Sequence, residues 1–259
     1  MQQQKVEKRQ QLRLRLLLKA RNYFRIKQKH PVPIVIGVSD AFLFLNKNNV
    51  FQFLKSLFFP QDKSLLDETD HMKKFLVVGL GNIGEKYAHT RHNIGFSILD
   101  QLAKEEGFSF EDGRLGAIAT FKHKGRSVLC LQPSTYMNLS GKAVKYWMDH
   151  EKVPMENILI ITDDINLPFG TLRLKTKGSD GGHNGLKDVQ HKLQTNKYHR
   201  FRFGVGAEFS KGKQIDYVLG TWTETEEKTL KERLEKSTQL IRSFVFAGPK
   251  NTMNQFNGT

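Results

Sequence analysis

The chain has 259 residues, 38% hydrophobic and 26% charged, enough for one large α/β domain or two small ones with a proper core. Its 41 Lys and Arg against 26 Asp and Glu leave a formal charge of +15, which points to a polyanion partner, nucleic acid first; the plainer reading is a basic protein in an anionic cytosol. Cys130 is the only cysteine, which excludes an intramolecular disulfide and makes a reducing compartment, the cytoplasm, the expectation.

Composition divides the chain near residue 72. Residues 1–71 carry 13 basic and 6 acidic residues, a net of +7, and within the first thirty Glu7 is the only acid. The Phe/Leu/Asn/Lys tract from Ala41 to Phe59 cannot cross a membrane, because Asn46, Lys47, Asn48, Asn49, Gln52 and Lys55 interrupt it within the required ~20 residues. The Leu14–Leu18 run is too short and too closely flanked by charge for a secretory signal. Residues 1–71 therefore read as a basic, poorly defined extension with three possible meanings: an organellar transit peptide, an arm that touches RNA, or upstream sequence read in frame. Met72, followed at once by a strand, is the expected natural start, which makes 72–259 the domain.

From Phe75 the pattern is regular. Phe75–Gly79 reads as a strand and Ile94–Glu106 as an amphipathic helix stopped by Gly107. Leu115–Phe121 and Ser127–Leu131 pair around the turn at residues 123–126, and Cys130 lies in the second of them as a buried, unreactive thiol. Gly141–His150 is helical. Ile158–Thr162 is the continuous apolar run of a strand covered on both faces. Thr171–Lys175 is a strand, Gly185–Leu193 a helix, Phe201–Gly206 a strand, and Glu224–Phe246 a closing charged helix. The alternation predicts a single α/β domain: a mixed, mostly parallel twisted sheet with helices on both faces.

The stretch Gly79-x-Gly81-x-x-Gly84 has dinucleotide spacing, yet its context is wrong. Glu85–Asn93 is too polar and irregular for the helix that motif needs, and the next element, with Asp100, is a helix instead of a ribose-binding strand. The glycines are expected to form a tight turn that lets a ligand approach the backbone. Polar residues recur instead at strand ends: Asn82 and His92 after the first strand, Tyr136 and Asn138 after the strand ending at Leu131, Asp163 after Thr162, and Asn184 at a helix start. In an open α/β sheet such loops converge on one cleft. One histidine, one carboxylate and three asparagines suit a water-attacking ester hydrolase. The histidine takes the proton, the carboxylate fixes its tautomer, and amide N–H groups stabilise an oxyanion. No serine lies in a G-x-S-x-G elbow, and no Cys–His pair is evident. A non-catalytic RNA-binding domain would share the basic surface but leave this set without purpose.

The motifs Gly79-Leu-Gly-Asn82-x₄-Tyr87-x-x-Thr90-Arg-His92-Asn-x-Gly95, Pro133-x-Thr-Tyr136-Met-Asn138-x-Ser-Gly141, Asp163-Asp-x-x-Leu-Pro168-x-Gly170, Gly181-Gly-His-Asn184-Gly-Leu-Lys-Asp188 and Met253-Asn-x-Phe256 resemble, in order, the bacterial-type peptidyl-tRNA hydrolases. The resemblance covers residues 72–259. It implies a monomeric, cytoplasmic, single-domain enzyme of phosphorylase/hydrolase-like fold, without metal or other cofactor, that cleaves the ester between a peptide and the 3′ ribose of tRNA. By motif position it implies that His92 is the general base, Asp163 its orienting partner, and Asn82 a reader of the peptide that rejects unblocked aminoacyl-tRNA. It also implies that Asn138 and Asn184 bind near the scissile ester, that Tyr87 and Tyr136 line the crevice, and that Lys175 and Arg202 contact tRNA phosphate. Asn166 stands where the family often has an acid, and Gly178-Ser179-Asp180 where it has a glycine-rich run; both bear on loop shape and tRNA fit.

Overall fold

The computed structural model describes residues 73–259 and, upstream, the backbone of a two-stranded antiparallel pair, β1 (Gly37–Val38) with β2 (Ala41–Phe42). The remaining readings made for residues 1–71, and the boundary at Met72, lie outside the described residues. Residues 73–259 contain a seven-stranded sheet ordered β4 (Glu111–Gly113), β5 (Gly116–His123), β6 (Arg126–Pro133), β3 (Lys74–Gly79), β7 (Ile158–Asp164), β9 (His199–Gly204), β8 (Leu172–Lys175). The central four strands, β6, β3, β7 and β9, are parallel, and antiparallel strands flank them on both sides. This is the expected mixed, mostly parallel sheet.

Strand periodicity explains the layers. Alternate residues of β3 enter different cores. Phe75 and Val77 pack with helix α1 (Ile94–Glu106) and the long helix α5 (Glu224–Phe256) on one face. Leu76 and Val78 pack with α2 (Ser140–His150) and α3 (Asn184–Leu193) on the other. In β7, Leu159 and Ile161 join the first core, Ile158 and Ile160 the second. Fully burying such a side chain contributes ~1.5–3 kcal/mol. Strands covered on both faces therefore fix where their carboxyl ends, and the loops that leave them, are placed.

Local chemistry sets the element ends. Gly107 takes the left-handed conformation (φ 71°) that stops α1. Lys124 and Gly125, both at positive φ, form the two-residue turn of the β5–β6 hairpin. Thr223 caps α5 in a reciprocal box with Glu226. That helix runs past the expected Phe246, breaking at Gly248 (φ 81°, ψ 168°) before Pro249 and resuming to Phe256; the charged periodicity ends at the break, which hid the second half. Short β4 and α4 (Gln214–Val218) were not foreseen, since three and five residues hold too little periodicity to register.

The fingerprint glycines do something other than cradle a ligand. A Cβ on Gly79 would sit 2.3 Å from the carbonyl oxygen of Gly95, and one on Gly81 would strike the Phe96 ring. These two glycines let α1 cross close over the end of β3, and only Gly84 (φ 99°) uses a turn conformation closed to most residues. Asp100 lies within α1 and accepts a hydrogen bond from Gln132 (2.6 Å).

Candidate active site

The carboxyl ends of β3, β6 and β7 open into a cleft of about 350 Å³. Asn82, His92, Tyr136, Asn138, Asp163 and Asn184 all line it. Loops more than a hundred residues apart in sequence thus meet, as their strand-end positions suggested.

His92 occupies a single 3-10 turn, Arg91–Asn93, immediately before α1. Its neighbours anchor that turn. The buried Arg91 guanidinium reaches Glu226 (2.6 Å) and the Thr221 carbonyl (2.5 Å) and lies over the Tyr217 ring. Asn93, also buried, accepts from the Asn82 N–H and donates to the Asn82 carbonyl, both at 2.9 Å. The base candidate and the first asparagine are therefore held to each other by their own loop.

Asp163, the last residue but one of β7, is almost wholly buried. Its Oδ1 lies 2.9 Å from His92 Nδ1 and 2.9 Å from His183 Nε2. Burial works against the charge on His92, but the charge and hydrogen bond of Asp163 outweigh it, and the imidazole is raised above its ordinary 6.5. Burial likewise opposes the charge on Asp163, but the two imidazoles overcome it and hold the carboxyl well below the usual range. With Nδ1 of His92 committed to Asp163, Nε2 is the nitrogen left to accept a proton.

Asn82 is oriented by its partners. Its Oδ1 accepts from the Met137 N–H (2.9 Å), so its NH₂ is the end left to donate. Asn138 follows Met137 in a 3-10 turn before α2, and Asn184 is the first residue of α3. Tyr136 is more than half exposed at the mouth, whereas Tyr87 lies outside the lining of the cleft, beneath Lys86.

The two cationic candidates separate. Lys175 ends β8 on the exposed surface. Arg202, on β9, turns into the cleft with its Nε 3.0 Å from Asp164, a charge contact without an aligned hydrogen bond. Asn166 donates to Asp164 through its backbone N–H and its amide, and Asp180 accepts from the Gly182 N–H. The two departures from the family pattern thus act on the loops around Arg202.

His183 is the residue that sequence reasoning passed over. It sits in the motif that supplied Asn184, but an imidazole beside glycines reads as a loop residue until its contact with Asp163 is seen. His92, Asp163 and His183 bring three potential metal-ligand atoms within 4.8 Å. Both imidazoles, however, direct N–H groups at the one carboxylate oxygen, an arrangement for hydrogen bonding that leaves neither nitrogen a lone pair for a cation.

A family model described as peptidyl-tRNA hydrolase matches residues 76–259. The chain is 58% identical over 184 residues to a peptidyl-tRNA hydrolase of Phocaeicola vulgatus, covering 71% of this chain and 98% of that protein. It is 40% identical over 183 residues to that of Bacillus subtilis, covering 70% and 97%. The crystal structure of peptidyl-tRNA hydrolase from Acinetobacter baumannii superposes with a TM-score of 0.68 at 35% identity, over 72% of this chain and 96% of that one.

Proposed function

This chain belongs to the peptidyl-tRNA hydrolase family and hydrolyses peptidyl-tRNA, and we propose that His92 is the general base of the reaction, with Asp163 holding and charging it. The contact of 2.9 Å between His92 Nδ1 and Asp163 Oδ1 carries this reading. Water in the cleft attacks the ester carbonyl while His92 Nε2 takes one of its protons. Asp163 stabilises the imidazolium that forms, and the NH₂ of Asn82 donates to the developing oxyanion or to the neighbouring peptide carbonyl. Collapse of the tetrahedral intermediate breaks the bond to the ribose 3′ oxygen. His92 returns its proton to that oxygen, which regenerates the neutral base and releases free tRNA and a peptide carboxylic acid that gives up water's second proton to solvent and leaves as the carboxylate.

Asn138 and Asn184 bind substrate beside the ester, Asn82 favours an N-blocked over a free amino end, and Tyr136 covers the mouth. Lys175 and Arg202 differ in duty. Lys175 meets backbone phosphate on the outer surface, while Arg202, inside the cleft, meets the phosphate nearest the 3′ end. Tyr87, outside the lining, contacts substrate only beyond the cleft. The substrate is the peptidyl-tRNA left by stalled translation, and the enzyme acts as a cytoplasmic monomer whose hydrolase domain spans 72–259. Among the described residues no helix is long and apolar enough to cross a membrane. Release of free tRNA from N-blocked aminoacyl-tRNA tests the base: His92→Ala is expected to lose ~10²–10⁴-fold in kcat while still binding tRNA. Near-normal turnover by that variant would remove His92 from the mechanism.

A further inference from the structure

We propose that His183 is a positioning residue that sets the working pH of His92 through the carboxylate oxygen the two rings share. The inference rests on the reading of His92 as the base.

The tautomer of His183 follows from its partners. It is the N-cap of the ten-residue helix α3, and its Nδ1 accepts the backbone N–H groups of Gly185 (3.1 Å) and Leu186 (3.2 Å). A ring nitrogen that accepts carries no hydrogen, so Nε2 carries it, and the 2.9 Å contact with Asp163 Oδ1 is donated by His183. His92 donates to the same oxygen from its own Nδ1 at 2.9 Å. The ring centres are 4.9 Å apart. A continuous chain therefore runs from the start of α3, through His183 and Asp163, to the Nε2 of His92 at the cleft.

Sharing changes what the carboxylate can do. An oxygen that accepts one N–H is a weaker acceptor for the next, because the first donor neutralises part of its charge. With His183 in place, Asp163 is charged enough to fix His92 and stabilise its imidazolium, but less than a singly bonded carboxylate would be. That restraint is useful. A base must be neutral when water arrives, and one raised far above ambient pH rests protonated and idle. His183 also holds the carboxylate from a second direction, so Asp163 cannot turn its Oδ1 away from His92.

The other charged and titratable groups around His92 compete poorly for this role. On β7, Asp164 is engaged by Arg202 from β9 and by Asn166. Before α3, Asp180 bonds the Gly182 N–H. Arg91, on the base's own turn, is neutralised by Glu226 of α5. From α4, Tyr217 donates to the Val205 carbonyl and Asp216 pairs with Lys213, and Tyr136 stands at the exposed mouth. Among the described residues Asp163 alone bonds the imidazole, and His183 is the other group that bonds the same carboxylate oxygen.

The test is the pH profile of kcat/KM, whose acid limb reports the base of the free enzyme. His183→Asn keeps a strong N-cap for α3 but ends short of Asp163, and His183→Ala removes both contacts. Both are expected to move the acid limb to higher pH by about half a unit to one unit and to lower the plateau rate about tenfold. An acid limb that stays in place, or moves down, while the plateau falls would reduce His183 to a helix cap and overturn the proposal. Imidazole ¹⁵N spectra of the wild-type protein at the plateau pH need no variant to fold. They are expected to show hydrogen on Nε2 of His183 and none on Nδ1, and the opposite tautomer overturns the proposal as well. His92→Ala separates the two readings. An active His92→Ala enzyme removes the base assignment itself, whereas an inactive one beside an unmoved limb in His183→Asn refutes only the role of His183.

Discussion

His92 and His199 stand at opposite ends of the parallel strands, one beside the end of β7 and the other at the start of β9, and both are largely withdrawn from water. His92 meets a carboxylate and is raised above its ordinary value. His199 donates from Nε2 to the Glu156 carbonyl (3.0 Å), lies edge-on to Phe244, and leaves Nδ1 buried without a partner among the described residues. Burial dominates there, and although the Glu156 carbonyl and carboxylate oppose it, the imidazole is lowered. The same side chain, largely withdrawn from water in both places, is raised in one and lowered in the other, where it is an apolar filler with one hydrogen bond. What separates them is a buried anion within 3 Å, and in this sheet that anion is found where the strands end in loops.

The contrast can be broken most severely by removing the anion. Asp163→Asn is expected to lose ~10²–10⁴-fold in kcat, nearly as much as losing the base, because both tautomer and imidazolium support disappear. Without its partner, His92 falls under the same control as His199, so the residual activity should have its acid limb at lower pH than wild type. A residual profile with an unmoved limb would show that Asp163 does not set the base. Next in size, Asn82→Ala should lower kcat ~10²-fold with the acid limb in place, since it removes the proposed amide donor and leaves the histidine–carboxylate pair intact. Steady-state rates at several pH values distinguish the two losses.

At the other end of the strands the expected effect is on stability. His199 has a lowered pKa in the folded state, so its contribution is present above ~6.5 and is lost as pH falls below that value. His92, raised in the folded state, contributes below ~6.5 and loses that contribution as pH climbs through its folded value. His199→Phe should therefore lose less stability between pH 7 and pH 5 than wild type in denaturant titrations, with kcat unchanged. An equal loss would mean that His199 is not withdrawn from protons as its surroundings require. The smallest effect belongs to the surface: Lys175→Ala should weaken tRNA binding modestly and reduce the slope of log affinity against log salt by about one. An unchanged slope would exclude a phosphate contact.

Much of the architecture was legible because it rests on short-range pattern. The alternation in β3, the doubly buried run of β7 and the Gly107 stop of α1 are statements about neighbours along the chain, and they hold to within a residue or two. The elements that escaped were α4, β4 and the second half of α5, whose identities depend on packing or on a break at Gly248. The glycines after β3 were visible, but not their purpose. Gly79 is small because Gly95, sixteen positions away, must approach it, and no local pattern encodes that crossing.

For the site, the chain itself determined which chemistry was available: one imidazole, one carboxylate and amides at strand ends, on a strongly basic protein, in motifs shared with known hydrolases. Only the tertiary structure decided the assignments within that set. It sent Arg202 into the cleft and left Lys175 outside, set Tyr87 apart from Tyr136, turned the Asn82 amide through Met137, and brought His183 to the oxygen that already holds His92. The physical reason is range. Hydrophobic periodicity and capping act within a few residues and are written locally. Hydrogen bonds between loops, and the proton affinities they set, depend on distances of about 3 Å that exist only once the sheet has gathered those loops together.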